Sequence, residues 1–402
     1  MRCFFPANIL LPDFDKVPAA TWPVIACDQF TSEEEYWQET EETVGDAPST
    51  LRMILPEVYL GRDDAGRTEE IRRRMEDYTK NLLKEHPASL ILLRRTLGDG
   101  RVRLGLVGCI DLECYDYLPD ATAPIRATEE TVLSRIPPRV KIRRGAPVEL
   151  PHVMLLLDDP RGEIIEKAME GFDSYPVAYD IPLMQKGGRA EGRFLPKEEA
   201  SRILALLDER GKEEGSLVFT VGDGNHSLAT AKACYEELKE KIGDAALSHP
   251  ARYALVEAVN LHDRSLEFHP IYRVVFGADR ADLLAFLTEG EGEGTHTFRY
   301  ITKEGEGEIA MPATHALPVG TLQKRLDLYL AAHEGVEVDY IHGEDSLAAL
   351  SKKEGAIGFL FRGMEKEDLF PAIKQSGVLP RKTFSMGEAR DKRYYLEARS
   401  IR

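Results

Sequence analysis

The stretch that decides the fold is SLVFTVGDGNHSLATAK, residues 216–232. Its first half is a short apolar run, Leu217 to Val221, which predicts a buried β-strand. Two glycines, Gly222 and Gly224, then flank Asp223, and glycine allows dihedral angles and close approach that a Cβ would block. Apolar side chains recur at helical spacing beyond them, so the sequence predicts a strand, a tight turn and a helix.

The start of this helix is predicted to bind an anion. The first N–H groups of a helix have no carbonyl partner within it, and the helix dipole places partial positive charge beside them. Asn225, His226 and Ser227 stand where their side chains add donors to the backbone at Gly224. A phosphate or a carboxylate fits such a site. The alternative is purely structural: Asp223, Asn225 or Ser227 caps the helix, and the glycines make the turn.

Composition and charge exclude several classes of function. The chain has 402 residues and a formal net charge of −17, which disfavours binding to nucleic acid or to an anionic membrane. No apolar run is long enough to cross a bilayer, and the start lacks a signal-peptide core, so we expect a cytoplasmic protein. The five cysteines form no Cys-x-x-Cys pair, and no histidine motif indicates a tightly bound metal. A small anionic metabolite or a nucleotide remains as the expected partner, and the sequence does not indicate the oligomeric state.

The alternation of predicted elements indicates a mixed α/β (α+β) fold in two lobes. We expect a main lobe with a central mixed sheet and the Asp-Gly-Asn-His motif at residues 1–276, and a smaller C-terminal α/β lobe at 277–402. In the main lobe, Gly98-Asp99-Gly100 predicts a β-hairpin. The other predicted elements are helices at 67–85, 320–334, 344–352 and 365–376, and strands at 153–157, 255–260, 271–276, 337–341 and 356–361.

Near the start of the chain, a predicted strand at residues 23–27 leads into a polar segment that contains Asp28. An acidic helix is predicted to start at Glu33, with Thr31 or Ser32 as its cap. Asp28 is the carboxylate that directly follows this predicted strand.

Two basic segments stand out in this acidic chain. Residues 126–144 contain six cations and two acids, and the stretch from Arg381 to Arg402 contains seven cations and three acids. Arg126, Arg381 and Lys382 are therefore candidate phosphate-binding residues. The C-terminal basic tail is expected to return to the site. The alternative is that these cations pair with acidic helices elsewhere.

Six phrases of the sequence resemble, in the same order, a bacterial family known as domain of unknown function 1015. The resemblance spans nearly the whole chain. The phrases are Cys27-Asp28-Gln29-Phe30-Thr31-Ser32, Arg126-Ala127-Thr128-Glu129, Tyr179-Asp180-Ile181-Pro182-Leu183-Met184, Gly222-Asp223-Gly224-Asn225-His226-Ser227-Leu228-Ala229-Thr230-Ala231, Asn260-Leu261-His262-Asp263 and Pro380-Arg381-Lys382-Thr383.

The motif also resembles, more remotely, the Asp-Gly-His-His-Arg phosphate-binding box of the ParB/sulfiredoxin superfamily, which includes free-serine kinases. This similarity implies a ParB/sulfiredoxin-like strand–turn–helix and a nucleotide-dependent kinase or phosphotransferase that acts on a small hydroxy or amino acid such as serine. It implies ATP or ADP with Mg²⁺ as cofactor, His226 at the phosphates, and Asp223 or Asp28 to orient Mg²⁺ or to accept the substrate proton. The chain departs from the box at Asn225 and Ser227, which replace a histidine and the arginine that clamps phosphate.

Two alternatives from other functional classes stay open. A non-catalytic sensor or binding protein for an anionic metabolite needs fewer groups than a transferase, which suits the substituted box. Thiol or hydrolytic chemistry at Cys27 and Asp28 is the second alternative, although the acidic run that follows them opposes a thiolate.

Overall fold

The structure is a computed structural model that describes residues 2–31, 33–60, 64–131, 136–213 and 215–402. The described residues form twenty strands and ten α-helices. The strands are β1 Phe4–Phe5, β2 Ala7–Pro12, β3 Leu83–Ser89, β4 Ile91–Thr96, β5 Val102–Asp111, β6 Tyr115–Asp116, β7 Ile125–Arg126, β8 Val148–Glu149, β9 Met154–Leu157, β10 Val177–Leu183, β11 Gly188–Phe194, β12 Phe219–Asp223, β13 Tyr253–Asn260, β14 Phe268–Phe276, β15 Thr295–Thr302, β16 Gly305–Pro312, β17 Glu337–His342, β18 Ala356–Leu360, β19 Phe384–Met386 and β20 Arg399–Ser400. The helices are α1 Glu34–Val44, α2 Asp64–Asn81, α3 Ile136–Arg143, α4 Ile165–Met169, α5 Lys197–Arg210, α6 Asn225–Ile242, α7 Arg280–Thr288, α8 Pro318–Ala332, α9 Glu344–Ser351 and α10 Lys366–Ser376.

A ten-stranded mixed sheet forms the larger part of the molecule. Its strand order is β10-β11-β4-β5-β13-β9-β12-β7-β6, and β1 also pairs with β5. The strand of the motif, β12, lies between β9, to which it is antiparallel, and β7, to which it is parallel. All four residues of β9 are buried, as expected for a strand covered on both faces. The expected mixed α/β fold with a central mixed sheet is confirmed.

A second sheet of six strands has the order β16-β15-β18-β14-β17, with β19 paired to one end of β14. It packs with α7, α8, α9 and α10 around an apolar core that includes Val274, Phe298, Leu322 and Phe359. This sheet includes β14, which precedes the division expected at residue 277, because β17 and β18 pair with β14 on its two sides.

The end of the chain leaves the second sheet and packs against the first residues of the chain. Ala26 donates its N–H to the carbonyl of Arg393, and Tyr395 donates its N–H to the carbonyl of Val24. Farther along, β20 pairs with β8. The tail therefore completes the large-sheet part of the molecule, where β12 and α6 also lie.

Most predicted elements agree with the structure, and two near the start of the chain differ. The hairpin forms from β4 and β5, and α6, α8, α9 and α10 lie where the sequence predicts helices. Residues 23–27 form a single bridge, Ile25 with Tyr394, in place of a strand, because their partner is the short returning tail. The N-cap residue of α1 is Glu33, with no side-chain cap, so the proposed Thr31 cap is not formed. Ser32, the other proposed cap, lies outside the described residues.

Candidate functional site

The turn between β12 and α6 has the strand–turn–helix geometry predicted from the sequence. Gly224 is the N-cap residue of α6, with a φ of 82°, and no side chain caps the helix. A Cβ at Gly224 would lie 3.0 Å from the Cα of Val153, so glycine is required here by both conformation and space. Asp223 accepts a hydrogen bond from the N–H of Gly224 at 3.0 Å. The side-chain cap that the purely structural alternative requires is therefore not formed on α6.

Four segments that are distant in sequence meet at this turn. Met154, at the start of β9, is the register partner of Asp223, which places His152 and Val153 beside Gly224. The bridge between Ile25 and Tyr394 brings the segment that contains Asp28 next to the returning tail. The site is thus built from residues 27–29, 151–153, 223–227 and 392–395.

Three ion pairs line the site, and two of them join two of these segments. His152 Nε2 lies 3.3 Å from an Asp28 carboxylate oxygen, and Lys392 Nζ lies 3.6 Å from an Asp223 oxygen. Arg139 of α3 pairs with Glu57, whose N–H donates to the carbonyl of Cys27. Three acids therefore face three basic groups.

The imidazole of His152 is buried and has polar partners on both nitrogens. Burial acts to lower the pKa of His152, but Asp28, Asp223 and Glu57 outweigh it and raise that pKa above its ordinary value. Burial acts to raise the pKa of Asp28. The His152 charge, the Gln29 amide and Lys392 outweigh burial and hold the pKa of Asp28 well below its usual range. Both shifts favour the charged forms, an imidazolium beside a carboxylate.

The hydrogen bonds around Tyr395 agree with a doubly protonated His152. The Tyr395 hydroxyl oxygen lies 2.7 Å from His152 Nδ1 and accepts the backbone N–H of Cys27 at 3.2 Å. When Nδ1 of His152 carries a proton, it donates to the Tyr395 oxygen. On the other side of the ring, Ser227 Oγ lies 3.0 Å from Nε2. When Nε2 carries a proton, the Ser227 oxygen accepts from it and the Ser227 proton is available to a ligand.

This arrangement does not resemble a serine-hydrolase triad. In such a triad the histidine takes the serine proton on one nitrogen and the carboxylate holds the other nitrogen. Here Asp28 and Ser227 both face Nε2 of His152. Cys27 is equally unsuited to thiol chemistry, because burial and the charge of Asp28 raise its pKa to about 12. The geometry therefore disfavours the alternative of hydrolytic or thiol chemistry.

We expect the stabilisation from the His152–Asp28 pair to depend on pH. The raised pKa of His152 means that its contribution is complete below about pH 6.5, the unfolded value, and is lost as the pH rises through the folded pKa. The lowered pKa of Asp28 means that its contribution is complete above about pH 3.9 and is lost as the pH falls through the folded pKa. Asp28→Asn should therefore lower the free energy of unfolding most, by about 2 kcal/mol, between roughly pH 4 and 6.5.

Urea denaturation of wild type and Asp28→Asn across this pH range measures the difference. Glu267→Gln is the control, because the Glu267 side chain is 53% exposed and pairs with His269 at 3.5 Å and with Arg101 at 3.4 Å. An exposed pair contributes little, so the control should stay within about 0.5 kcal/mol of wild type. An Asp28→Asn effect of equal size at alkaline pH would contradict the assigned charge state.

Two polar atoms of the motif are buried without a hydrogen-bond partner in the described part of the chain. They are Oδ1 of Asn225 and Oδ2 of Asp223, and Lys392 faces the latter as an ion pair. Buried polar atoms are nearly always hydrogen-bonded in proteins, and exceptions are frequent where a ligand, water or ion completes the site. Both atoms flank Gly224.

A cavity of about 150 Å³ opens beside the start of α6. Ser227, His152, Tyr395 and Cys27 line the end next to the motif, and Glu57 and Arg139 also face it. The rest of its wall is mostly apolar. Ligand sites commonly combine a mostly apolar pocket with a few convergent polar groups, so the start of α6 and this cavity form one candidate site.

The structure brings Asp28, Asp223 and Ser227 together, with Gly224 and Asn225 in the same turn, but it places three predicted cations elsewhere. The Arg126 guanidinium donates to the carbonyls of Ala123, Thr122 and Gly215. Arg126 is buried, and it pairs with Thr220 in β12, three residues before Asp223. Its predicted role in phosphate binding stays a prediction.

Arg381 and Lys382 lie on an exposed turn that packs against the second sheet. The Arg381 carbonyl accepts a hydrogen bond from the Arg273 guanidinium at 3.3 Å, and the backbone N–H of Lys382 donates to Glu129 at 3.2 Å. In the described part of the chain, the cation in ion-pair range of Asp223 is Lys392. The sequence placed Lys392 only within a basic tail, and it gave no signal for His152. His226, the second residue of α6, is half-buried.

Two further findings bear on the class of site. No helix in the described ranges combines the length and the apolar character that a membrane span requires. Among the described side chains, no group of three or more His, Cys, Asp or Glu is arranged to hold a metal ion. Mg²⁺ is bound through one or two carboxylates together with substrate phosphates, so it needs no such group.

These features define a mixed α/β protein with a candidate site at a strand–turn–helix. The chain belongs to the family described as protein of unknown function DUF1015, whose family model matches residues 12–329. The resemblance seen in the sequence is thereby confirmed. No curated protein sequence matches the chain.

Several solved structures are similar to the chain at low identity. A conserved hypothetical protein from Pyrococcus furiosus is 14% identical over 69% of this chain and 89% of that chain, with a TM-score of 0.35. A free serine kinase in complex with AMP is 12% identical over 73% of this chain and 90% of that chain, with a TM-score of 0.39. A mutant free serine kinase in complex with ADP is 12% identical over 75% and 93%, with a TM-score of 0.41.

Proposed function

We propose that the chain is a nucleotide-dependent phosphotransferase that acts on a small hydroxy or amino acid. The observation that carries the proposal is the meeting of Asp28, Asp223 and Lys392 at the uncapped start of α6, beside a cavity. A helix start and a lysine suit the transferring phosphate, and a carboxylate suits the acceptor hydroxyl.

Phosphate binds at the first turn of α6 in this proposal. The N–H groups of Asn225, His226 and Ser227 have no carbonyl partner within the helix. The Ser227 hydroxyl donates a further hydrogen bond to the phosphate. Lys392 supplies the positive charge that an arginine supplies in the related motif. The His226 side chain is proposed to donate to the terminal phosphate. Phosphoryl transfer depends mainly on positioning and on stabilising charge, so this set of donors is chemically sufficient.

The two carboxylates have different proposed roles. The oxygen of the substrate hydroxyl attacks the terminal phosphorus, and the bond from that phosphorus to the bridging oxygen of the nucleotide breaks. The nucleotide then leaves with one phosphate fewer, and the hydroxyl proton passes to Asp223. Asp223 is suited to accept it because Oδ2 has no hydrogen-bond partner in the described structure. The lowered pKa of Asp28 makes it a poor base but a permanent negative charge.

The charge balance of the site favours Mg²⁺ binding together with a nucleotide. The three acids and three basic groups already balance, so the charge of a nucleotide phosphate requires an additional cation. Asp28 is the carboxylate proposed to hold Mg²⁺, and it remains ionised. When bound, Mg²⁺ supplies neutralisation of the phosphate charge.

A binding and transfer experiment tests the proposal. We expect ATP or ADP with Mg²⁺ to raise the melting temperature of wild type, because a ligand that binds only the folded state stabilises it. We also expect transfer of the labelled terminal phosphate to one of a panel of hydroxy and amino acids. Asp223→Asn should keep the nucleotide-induced shift and lower the transfer rate by about 10²–10⁴-fold, since it removes the proton acceptor.

His226→Ala should reduce the nucleotide shift, and His269→Ala is its control, because His269 lies exposed on β14 of the second sheet. If neither nucleotide shifts the melting temperature and both are recovered intact with every acid, the proposal is wrong. A stabilising anion that is recovered unchanged would instead favour the sensor of an anionic metabolite.

A further inference from the structure

The cavity beside the start of α6 differs in character between its two ends. At the end away from the motif, its wall is formed by apolar side chains from several elements. They include Met53, Leu55, Met75, Ile142, Val148, Leu150, Ala231 and Ala254. The end at the motif carries the hydroxyl of Ser227 and the His152–Asp28 pair.

The charged groups in the apolar part of the wall already have partners. Glu149 accepts from Arg143 and Arg399, and from the N–H of Leu255 at 2.9 Å. The hydroxyl of Thr230 donates to the carbonyl of His226 at 2.7 Å. An occupant of this part therefore needs no hydrogen-bonding groups, and a polar occupant would lose those it makes with water.

The size of the cavity limits the occupant. Its volume is about 150 Å³, and an engineered apolar cavity of about 150 Å³ binds benzene. An apolar group of about six carbon atoms therefore fits. The hydroxymethyl side chain of serine would leave most of this volume unfilled.

We infer that the acceptor substrate is a hydroxy or amino acid with a compact apolar side chain, which occupies this cavity while the polar part of the acid faces the start of α6. This inference rests on the proposed function, because it names the acceptor class for the same site. The hydroxyl and carboxylate of the substrate lie near Ser227 and Asp223, and the aliphatic or aromatic side chain points towards Ala231 and Ala254. Each methylene buried is expected to tighten binding by about fourfold.

A series of acids with side chains of increasing size tests the inference. We would measure binding of glycolate, lactate, hydroxyisovalerate and phenyllactate by calorimetry, with and without ATP and Mg²⁺. Affinity should rise along the series by roughly tenfold or more in total, because more apolar surface is buried at each step. Affinity that is flat, or that falls with side-chain size, would overturn the inference.

Cavity variants locate the effect. Ala231→Leu fills the cavity from α6 and should remove the preference for large acids, while the nucleotide-induced shift stays as in wild type. Ala233→Leu on the same helix is the control, because Ala233 packs with Ile136 and Val140. If Ala231→Leu does not fold, Leu150→Ala enlarges the cavity and should shift the preference towards phenyllactate. Equal selectivity in the cavity variants and in wild type would also overturn the inference.

The outcomes separate the two proposals. A nucleotide shift with no dependence on side-chain size leaves the phosphotransferase intact and refutes the apolar substrate class. Tight binding of the larger acids with no nucleotide binding or transfer supports the cavity assignment and refutes the phosphotransferase.

Discussion

An Arg393→Met variant is expected to lose roughly 3–5 kcal/mol of folding free energy, the typical effect of removing one member of a buried ion pair. The Arg393 side chain is 1% exposed, and those of its partners Glu257 and Glu397 are 0% exposed. Arg393 donates to Glu257 at 2.8 Å, to Glu397 at 2.6 Å and to the carbonyl of Pro151 at 2.6 Å. Without the Arg393 guanidinium, the buried carboxylates of Glu257 and Glu397 would lose the cation that both of them pair with.

Urea denaturation followed by circular dichroism measures this loss. Arg402→Met is the matched control, because Arg402 pairs with Glu76 at 3.0 Å with both side chains more than half exposed. The control should change stability by less than about 1 kcal/mol. Adding Glu257→Leu and Glu397→Leu to Arg393→Met should recover much of the loss, since an apolar set replaces the unpaired charges. A single variant as stable as the control would refute this account.

The Arg393 cluster also has a consequence for the site. Arg393 lies between Lys392, which pairs with Asp223, and Tyr395, which contacts His152. The buried ion pairs therefore hold the tail in the register that places both residues at the start of α6. We expect loss of Arg393 to weaken ligand binding together with stability.

The parts of the site that the sequence predicts are those encoded by neighbouring residues. The Gly222 to Ser227 motif combines a strand end, two glycines and a helix start within a few residues, and the structure shows this turn. The positive φ of Gly224 is a local requirement that only glycine meets easily. The hairpin at Gly98-Asp99-Gly100 is predictable for the same reason.

The parts that the sequence does not predict depend on long-range pairing. Lys392 and Tyr395 reach the site because Val24 and Ala26 pair with the tail, across more than 360 residues of sequence. Such a pairing gives no periodic pattern in one chain. His152 lies just before β9 and is placed by the register of β9 with β12. His152 is not among the residues singled out from the sequence, although it stands directly before the strand predicted at residues 153–157.

The sequence also leaves open which cation faces Asp223. Arg126 stands in a basic segment, yet its strand runs parallel to β12, and its side chain bonds to carbonyls that include Gly215, before β12 begins. Lys382 has a left-handed backbone with a φ of 60°, on a turn held by Glu129 and Arg273. Both basic segments are visible in the sequence, but which cation faces Asp223 depends on the tertiary path of the tail.

Lys392→Met is expected to weaken nucleotide binding by about tenfold to hundredfold, because a hydrogen bond to a charged group contributes about 1.5–3 kcal/mol. Lys392 Nζ lies 3.6 Å from Asp223, and the Lys392 side chain is only 15% exposed. A partly buried ammonium is screened less by salt than a surface lysine, so its charge acts strongly on a phosphate at the start of α6. The measurement is the nucleotide dissociation constant by calorimetry, for wild type and variant.

Lys382→Met is the decisive control, because Lys382 is one of the candidate phosphate-binding residues of the sequence analysis and Lys392 is the residue proposed for that role from its contact with Asp223. Both variants remove one lysine charge from the same tail, so the change in net charge is identical. If Lys392→Met weakens binding and Lys382→Met does not, the missing arginine of the motif is replaced from the tail segment that packs beside Asp223. If Lys382→Met has the larger effect, the exposed turn must move to the site when ligand binds, and the site assigned to Lys392 is wrong. Lys392→Arg should restore most of the affinity in the first case, since the guanidinium keeps the charge and forks to phosphate oxygens.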